Sequence, residues 1–309
     1  MNDDNQKEVI EQRKKDLVEK RAVTVSSSKI LAPTHQGNTI NEKIGEVSTL
    51  CDEVDSIYLN GGESFQQSYV KEYKTGDLTE EGADYADGEP QFDYADMNKV
   101  KITAYAEISE EVEKLPAADY VSEVEKAVTI AVKKKMNSQM LVGDGKKSFN
   151  GIFKEPEAID ATKDLVISKI DETTLDEIVF SYGGDEDTND EATLILSKED
   201  LKAFSTVRSA DGKKVYEIDK KAKTIDKVPY VINSNCHALS KNDTQTGTYY
   251  CMAYGSLKNY LIPVFSDLEV KRSDDYKFKQ GQIAFRAEVM TAGNVVAQDG
   301  FVRVKKVVA

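Results

Sequence analysis

The stretch Gly183 to Glu191, GGDEDTNDE, alternates oxygen donors at Asp185, Asp187, Asn189 and Glu191. Hard cations such as Ca²⁺ take such ligands. The run lacks the mid-loop glycine and the distal bidentate glutamate of an EF-hand, so it reads as a solvated acidic loop. His35 and His237 are the two histidines, far apart in the chain. His237 follows Cys236, but one Cys and one His do not make a zinc site. Cys51, Cys236 and Cys251 form no CxxC pair, and their odd number fits no disulfide framework. They read as reduced, small core residues. The sequence holds no GxSxG, HExxH or P-loop motif. Gly61-Gly62 and Gly183-Gly184 are turn signals. These residues predict no catalytic, cofactor-binding or metal site, and a protein that is not an enzyme.

The 309 residues suffice for one large domain or two linked ones. Lys and Arg number 41 against 55 Asp and Glu, a formal charge of −14. So acidic a chain repels the phosphate backbone, which argues against sequence-independent nucleic-acid binding. Nor does any motif predict sequence-specific binding. Met1 to Arg21 is charged and lacks the apolar core of a secretory signal. No apolar run approaches the roughly 20 residues of a membrane span.

The elements follow from periodicity. Residues 4–21 are a charged helix candidate, with Val9, Ile10, Leu17 and Val18 recurring at a seven-residue spacing. Two such turns read equally as a solvated tail or as a short assembly helix. Residues 22–63 carry few periodic runs and read as an extended arm. Ser64 to Lys74 is the outgoing strand of a long hairpin, Thr75 to Pro90 its acidic, Gly-rich tip. Gln91 to Ser109 is expected to return as one strand, with Val100, Ile102, Ala104 and Ala106 alternating with polar neighbours. Such a hairpin should find its contacts on another subunit.

A long helix is predicted over 116–142. Pro116 suits its first turn. Asp119, Glu123 and Glu125 near the start and Lys133, Lys134 and Lys135 toward the end would complement the macrodipole. Ala117, Val121, Val124, Val128, Ala131 and Leu141 mark its apolar stripe, and Gly143 suits a left-handed stop. Beyond it, Leu175 to Tyr182 is a short helix candidate and Ala192 to Leu196 a buried strand. Ser197 should cap a helix running to Arg208, with Asp200 as an acidic capping-box partner. Asp211-Gly212 is a hairpin turn, and Val228 to Ile232 another strand. No repeat of 20–50 residues is present.

Met252 to Val308 is built to pack and to pair, with strands around Leu268 to Val270 and Gly281 to Glu288. Several segments resemble the tailed-phage major capsid proteins, in order and spacing. Glu107-Ile108-Ser109-Glu110-Glu111 is similar to that family's junction into its spine helix. Met140 to Gly145 followed by Asn150-Gly151-Ile152 resembles the end of that helix. Ala192 to Leu201, Ala210 to Lys213, Val228 to Val231, Tyr254-Gly255-Ser256 and Gly281 to Glu288 continue the series, over roughly residues 62–308.

The resemblance implies an α+β, Hong Kong 97-like phage capsid fold with an N-arm, a projecting E-loop hairpin, a peripheral domain with a long spine helix, and an axial domain. The divisions it implies are a charged helical segment 1–28, the N-arm 29–63 and the E-loop 64–109. The peripheral domain would take 110–170 and 262–309, and the axial domain 171–261. The implied function is that of a major capsid protein assembling into hexamers and pentamers around double-stranded DNA, located in the virion. Implied partners are copies of itself, a portal protein, a separate scaffold or maturation protease, and a decoration protein. An encapsulin-like compartment shell shares this fold and is the alternative. A hydrolase is a remote one. Some family members weld subunits through a Lys–Asn isopeptide bond aided by a glutamate. Glu288 stands where that glutamate would fall, but the partner position falls near Gln280-Gly281 and no lysine lies in Thr75 to Pro90. Cross-linking is therefore not expected, and Glu288 should serve packing or ion pairing.

Overall fold

A computed structural model describes residues 47–308 apart from positions 60, 81, 83, 114–119, 185–190, 242 and 244. The helix expected over 4–21, His35, Pro116 and the middle of the acidic loop lie outside the described residues. Where an arm was expected, the chain is already docked. Helix α1, Leu50–Glu53, buries Leu50 completely. Strand β1, Asp55–Tyr58, then runs parallel to β11, Tyr260–Lys277, with Asp55 opposite Leu261. Apolar residues at 50 and 54 anchor this stretch to the core.

The expected hairpin splits. Strand β2, Ser64–Glu72, pairs with β3, Gln91–Asn98, as a separate two-stranded sheet. The return strand breaks at Lys99, and β4, Val100–Ser109, pairs instead with β12, Gln282–Thr291. The alternation read across 91–109 spans both strands and so could not reveal the break. The first large sheet has the order β1-β11-β12-β4, with β13, Asn294–Val295, beside β11.

After α2, Glu110–Glu113, the long helix α3 is described over Tyr120–Val142 and packs on β4 and β12. Val128, Val132, Met140 and Leu141 are its buried apolar residues. Ala131, assigned to the stripe, is exposed, while Val121 and Val124 are half-buried. The last turn holds no basic residue. Lys133 lies too far back to meet the macrodipole, whose effect is confined to the terminal turn, and pairs with Asp52 at 3.0 Å. The end of α3 is satisfied by the next loop: the Ile152 and Phe153 amides donate to the Met140 and Leu141 carbonyls at 2.8 and 3.0 Å. Gly143 is not left-handed; Gly145 is, at φ 72°. Gly143 is needed because a Cβ there would fall on the Phe149 carbonyl.

The second sheet has seven strands in the order β5-β14-β10-β6-β9-β8-β7. These are β5 Leu165–Val166, β6 Ala192–Leu196, β7 Ile218–Asp219, β8 Thr224–Ile225, β9 Val228–Ile232, β10 Gly247–Ser256 and β14 Phe301–Val308. Residues 301–308 thus pair away from 262–295, with which the sequence grouped them. Strand β6 is buried throughout and runs parallel to β9. Helix α4 is Thr174–Phe180 and α5 is Lys198–Thr206. The Ser197 hydroxyl accepts from the Asp200 amide at 3.1 Å, the expected cap. Asp200, fully buried, does not close a capping box. Its carboxylate accepts from the Leu239 and Ser240 amides at 3.0 and 3.1 Å.

Candidate assembly surfaces

The residues singled out for chemistry are dispersed. Among the described residues no group of His, Cys, Asp and Glu could hold a metal ion. The three cysteines are free thiols. Burial pushes the Cys51 and Cys251 thiols up to about 12, far from the range of a reactive thiolate. His237 Nε2 meets Asp243 Oδ1 at 3.1 Å while its ring stacks on Tyr249. Glu288 contacts Lys101 across the β12–β4 pair at 2.6 Å, and that ammonium holds its carboxyl below the usual range. Lys71 and Lys74 are engaged by Asp93 and Asp87 across the hairpin.

What the structure exposes are faces. Along β2 and β3, Tyr69, Ala95 and Met97 turn inward and are buried, while Phe92 and Tyr94 on the other face are more than half exposed. The hairpin is therefore not free of the body. Its base is tied by Asn294 Nδ2 donating to the Asp96 carbonyl at 3.1 Å, beside a cavity of about 240 Å³. Its tip carries Leu78 and Tyr85, 99% and 93% exposed. A second exposed aromatic group, Tyr105, Tyr276 and Phe278, surrounds the Glu107–Lys277 pair (2.5 Å) at the outer end of β11 and β12. Lys277 and the Tyr105 hydroxyl hold the Glu107 carboxyl low. Exposed aromatic clusters of this kind mark protein–protein contacts.

The structure also holds a buried network absent from the sequence reading. Asp164 Oδ1 accepts from Arg303 Nε at 2.7 Å, and its Oδ2 meets Lys305 Nζ at 3.1 Å and Tyr250 Oη at 3.2 Å. Arg303 also donates to the Glu155 carbonyl at 3.0 Å and lies over the Tyr250 ring. It ties β14 and β10 to the loop after α3. In α3, buried Asn137 bonds the Cys51 amide and the Ser48 carbonyl, both at 3.1 Å. An asparagine among helix-forming residues gave no signal of that role.

The arrangement offers surfaces to pair and buried hydrophobic cores to carry them. A family model described as the phage capsid family matches residues 29–306. No curated protein matches the chain. Among solved structures, the capsid of a native GTA particle is 16% identical with a TM-score of 0.71, over 93% of this chain and 99% of that one. A structure from Mycobacterium phage Bobi is 15% identical with a TM-score of 0.66, over 92% of this chain and 98% of that one. One from Gordonia phage Cozz is 12% identical with a TM-score of 0.62, over 90% and 92%. At these identities the likeness is one of fold, the Hong Kong 97-like capsid fold of mixed α and β.

Proposed function

The chain belongs to the phage capsid family and is a structural protein of the virion shell, not an enzyme; on that premise we propose how its parts are used. The protein is the major capsid protein of a tailed phage or a GTA-like particle. It assembles into hexamers and pentamers of an icosahedral shell around double-stranded DNA. The observation that carries this is the β2–β3 hairpin, anchored at its base and presenting exposed aromatics and an acidic tip outward. A monomer gains nothing from the exposed outer face and tip of such a hairpin. A neighbouring subunit gives it a place to bind.

The hairpin is the E-loop, over 64–98. The first sheet with α3 forms the peripheral domain, and the seven-stranded sheet, with 165–166 and 301–308, forms the axial domain. The separate hydrophobic cluster of Leu194, Leu196, Phe204 and Val304 supports the axial division. A portal protein and a separate scaffold or maturation protease complete the assembly. Subunits are not covalently welded, because Glu288 is committed to Lys101 and the hairpin tip offers no attacking lysine.

Expression of the chain, negative-stain microscopy and a denaturing gel test this. Icosahedral shells that dissolve to one band at 34.3 kDa are expected. Stable monomers by sedimentation would refute the capsid role, and a detergent-resistant ladder lost in Glu288→Gln would refute the non-covalent shell.

A further inference from the structure

We propose that neighbouring subunits meet through a knob and a groove: Phe180 of one copy, flanked by Asp176 and Glu177, seats in a lysine-rimmed groove between α5 and β7 of a second copy. This rests on the capsid reading and specifies which surfaces touch.

The groove has a volume of about 830 Å³ and a floor that includes Leu201 and Ile218. Lys198, Lys202, Lys214 and Lys220 stand around it, all exposed. None of the four has an ion-pair partner among the described residues. Glu199 and Glu217 share the rim, which stays positive on balance. From Lys198 to Lys223 the chain has eight Lys and Arg against five Asp and Glu. In a chain of net charge −14 that is a local reversal, and it selects an acidic partner with an apolar anchor.

The same chain supplies one. From Ile170 to Gly184 there are four Asp and Glu and no Lys or Arg. Helix α4 buries Leu175 and Ile178 yet leaves Phe180 75% exposed. Asp176 and Glu177 precede Phe180 by four and three residues, so all three share one side of the helix. Neither carboxylate forms an ion pair among the described residues. An exposed aromatic ringed by charge is the usual anchor of an interface, and a desolvated apolar pocket its usual seat.

The two patches cannot meet within one subunit, since Phe180 is exposed and does not line the groove. Helix α4 starts against the groove wall, where Tyr216 Oη accepts from the Leu175 amide at 3.3 Å and donates to the Asp171 carbonyl at 2.7 Å, and Phe180 stands at its far end. Patches that complement each other, but not themselves, make a heterologous contact. Repeated, such a contact gives a ring when its rotation closes.

Charge reversal tests this in the full chain, with wild-type shells as the reference. Asp176→Lys with Glu177→Lys, and separately Lys198→Glu with Lys202→Glu, should each lower the shell yield about tenfold or more, with unchanged melting of the subunit. The fourfold variant should recover most of the yield. Normal assembly by either pair, or no recovery in the folded fourfold variant, would overturn the proposal while leaving the capsid reading intact. A wild-type chain that makes no shells would overturn both. A cysteine pair decides the case if a reversal variant misfolds. Oxidised shells of Phe180→Cys with Leu201→Cys should give a covalent ladder absent from either single variant. A lone monomer band refutes the contact. A ladder from Leu78→Cys with Leu201→Cys instead assigns the groove to the hairpin tip, and also refutes it.

Discussion

At the residue scale, the two buried acids of the Arg303 region behave differently. Asp164 is surrounded by Arg303, Lys305 and Tyr250. Glu155, nearby and 4% exposed, has one carboxylate oxygen on the Glu157 and Ala158 amides and the other, Oε2, without a hydrogen-bond partner. Burial outweighs those two amides and raises its pKa. A carboxyl raised on folding binds more protons in the folded state than in the unfolded one. Stability from this group therefore falls as pH rises from the ordinary carboxylate range through the raised value. Glu288 and Glu107, held low by lysines, lose their contribution on the acid side and stay ionised in this window. Thermal melts from pH 5 to 8 should show a decline that flattens in Glu155→Gln. A parallel decline in both proteins would place the titration elsewhere. None of this was legible beforehand. Asp164 and Arg303 are 139 positions apart, and an isolated Asp or Arg in a sequence is read as surface. The cysteines were legible, because a thiol without a partner motif has little to do but pack.

At the scale of elements, α3 shows which sequence signals survive folding. Its existence followed from length and period, and its stripe held at Val128 and Leu141 but not at Ala131. Ala131 and Val132 are adjacent, and a stripe drawn through small residues cannot tell which of the two meets the sheet. The packed position is Val132, with Val128 one turn before. Val128→Asp should cost about 4 kcal/mol or more, since the carboxylate would have no partner in the core. Val124→Asp, on a half-buried site, should cost clearly less. Urea melts of the two variants check the order, and equal losses would mean that the packing against β4 and β12 is wrong. The break at Lys99 was hidden for a different reason. Alternation reports that a residue faces in or out, and not which strand lies alongside. The β8–β9 turn was missed because Asp226 and Lys227 both take positive φ, at 46° and 71°, without the glycine that normally announces it.

At the scale of the whole molecule, the acidic balance suited a shell and any ordinary acidic protein alike, and the colinear segments from 107 to 288 carried both the fold and the building-block reading. Partner surfaces were less readable, because an exposed aromatic and a buried one look alike in a sequence. Deleting Thr75 to Pro90 should leave the two large sheets intact, since the tip packs on neither. Circular dichroism should stay near native while sedimentation shows small oligomers in place of shells. Shells of normal yield from the deletion variant would remove the tip from assembly.

Strand β14 has a consequence for how the protein is made. It lies between β5 and β10, and its Arg303 completes the Asp164 network. The parallel pairing of β1 likewise waits for residues 261–264. Both large sheets are thus closed by residues that leave the ribosome late, and contacts of such long sequence separation form slowly. A chain interrupted before residue 301 lacks the strand between β5 and β10 and leaves Asp164 without Arg303 and Lys305. Truncated products should therefore fail to fold and stay out of the lattice, protecting a shell of many identical subunits from incomplete copies without a separate inspector; recovery of soluble chains ending before 301 inside shells would show otherwise.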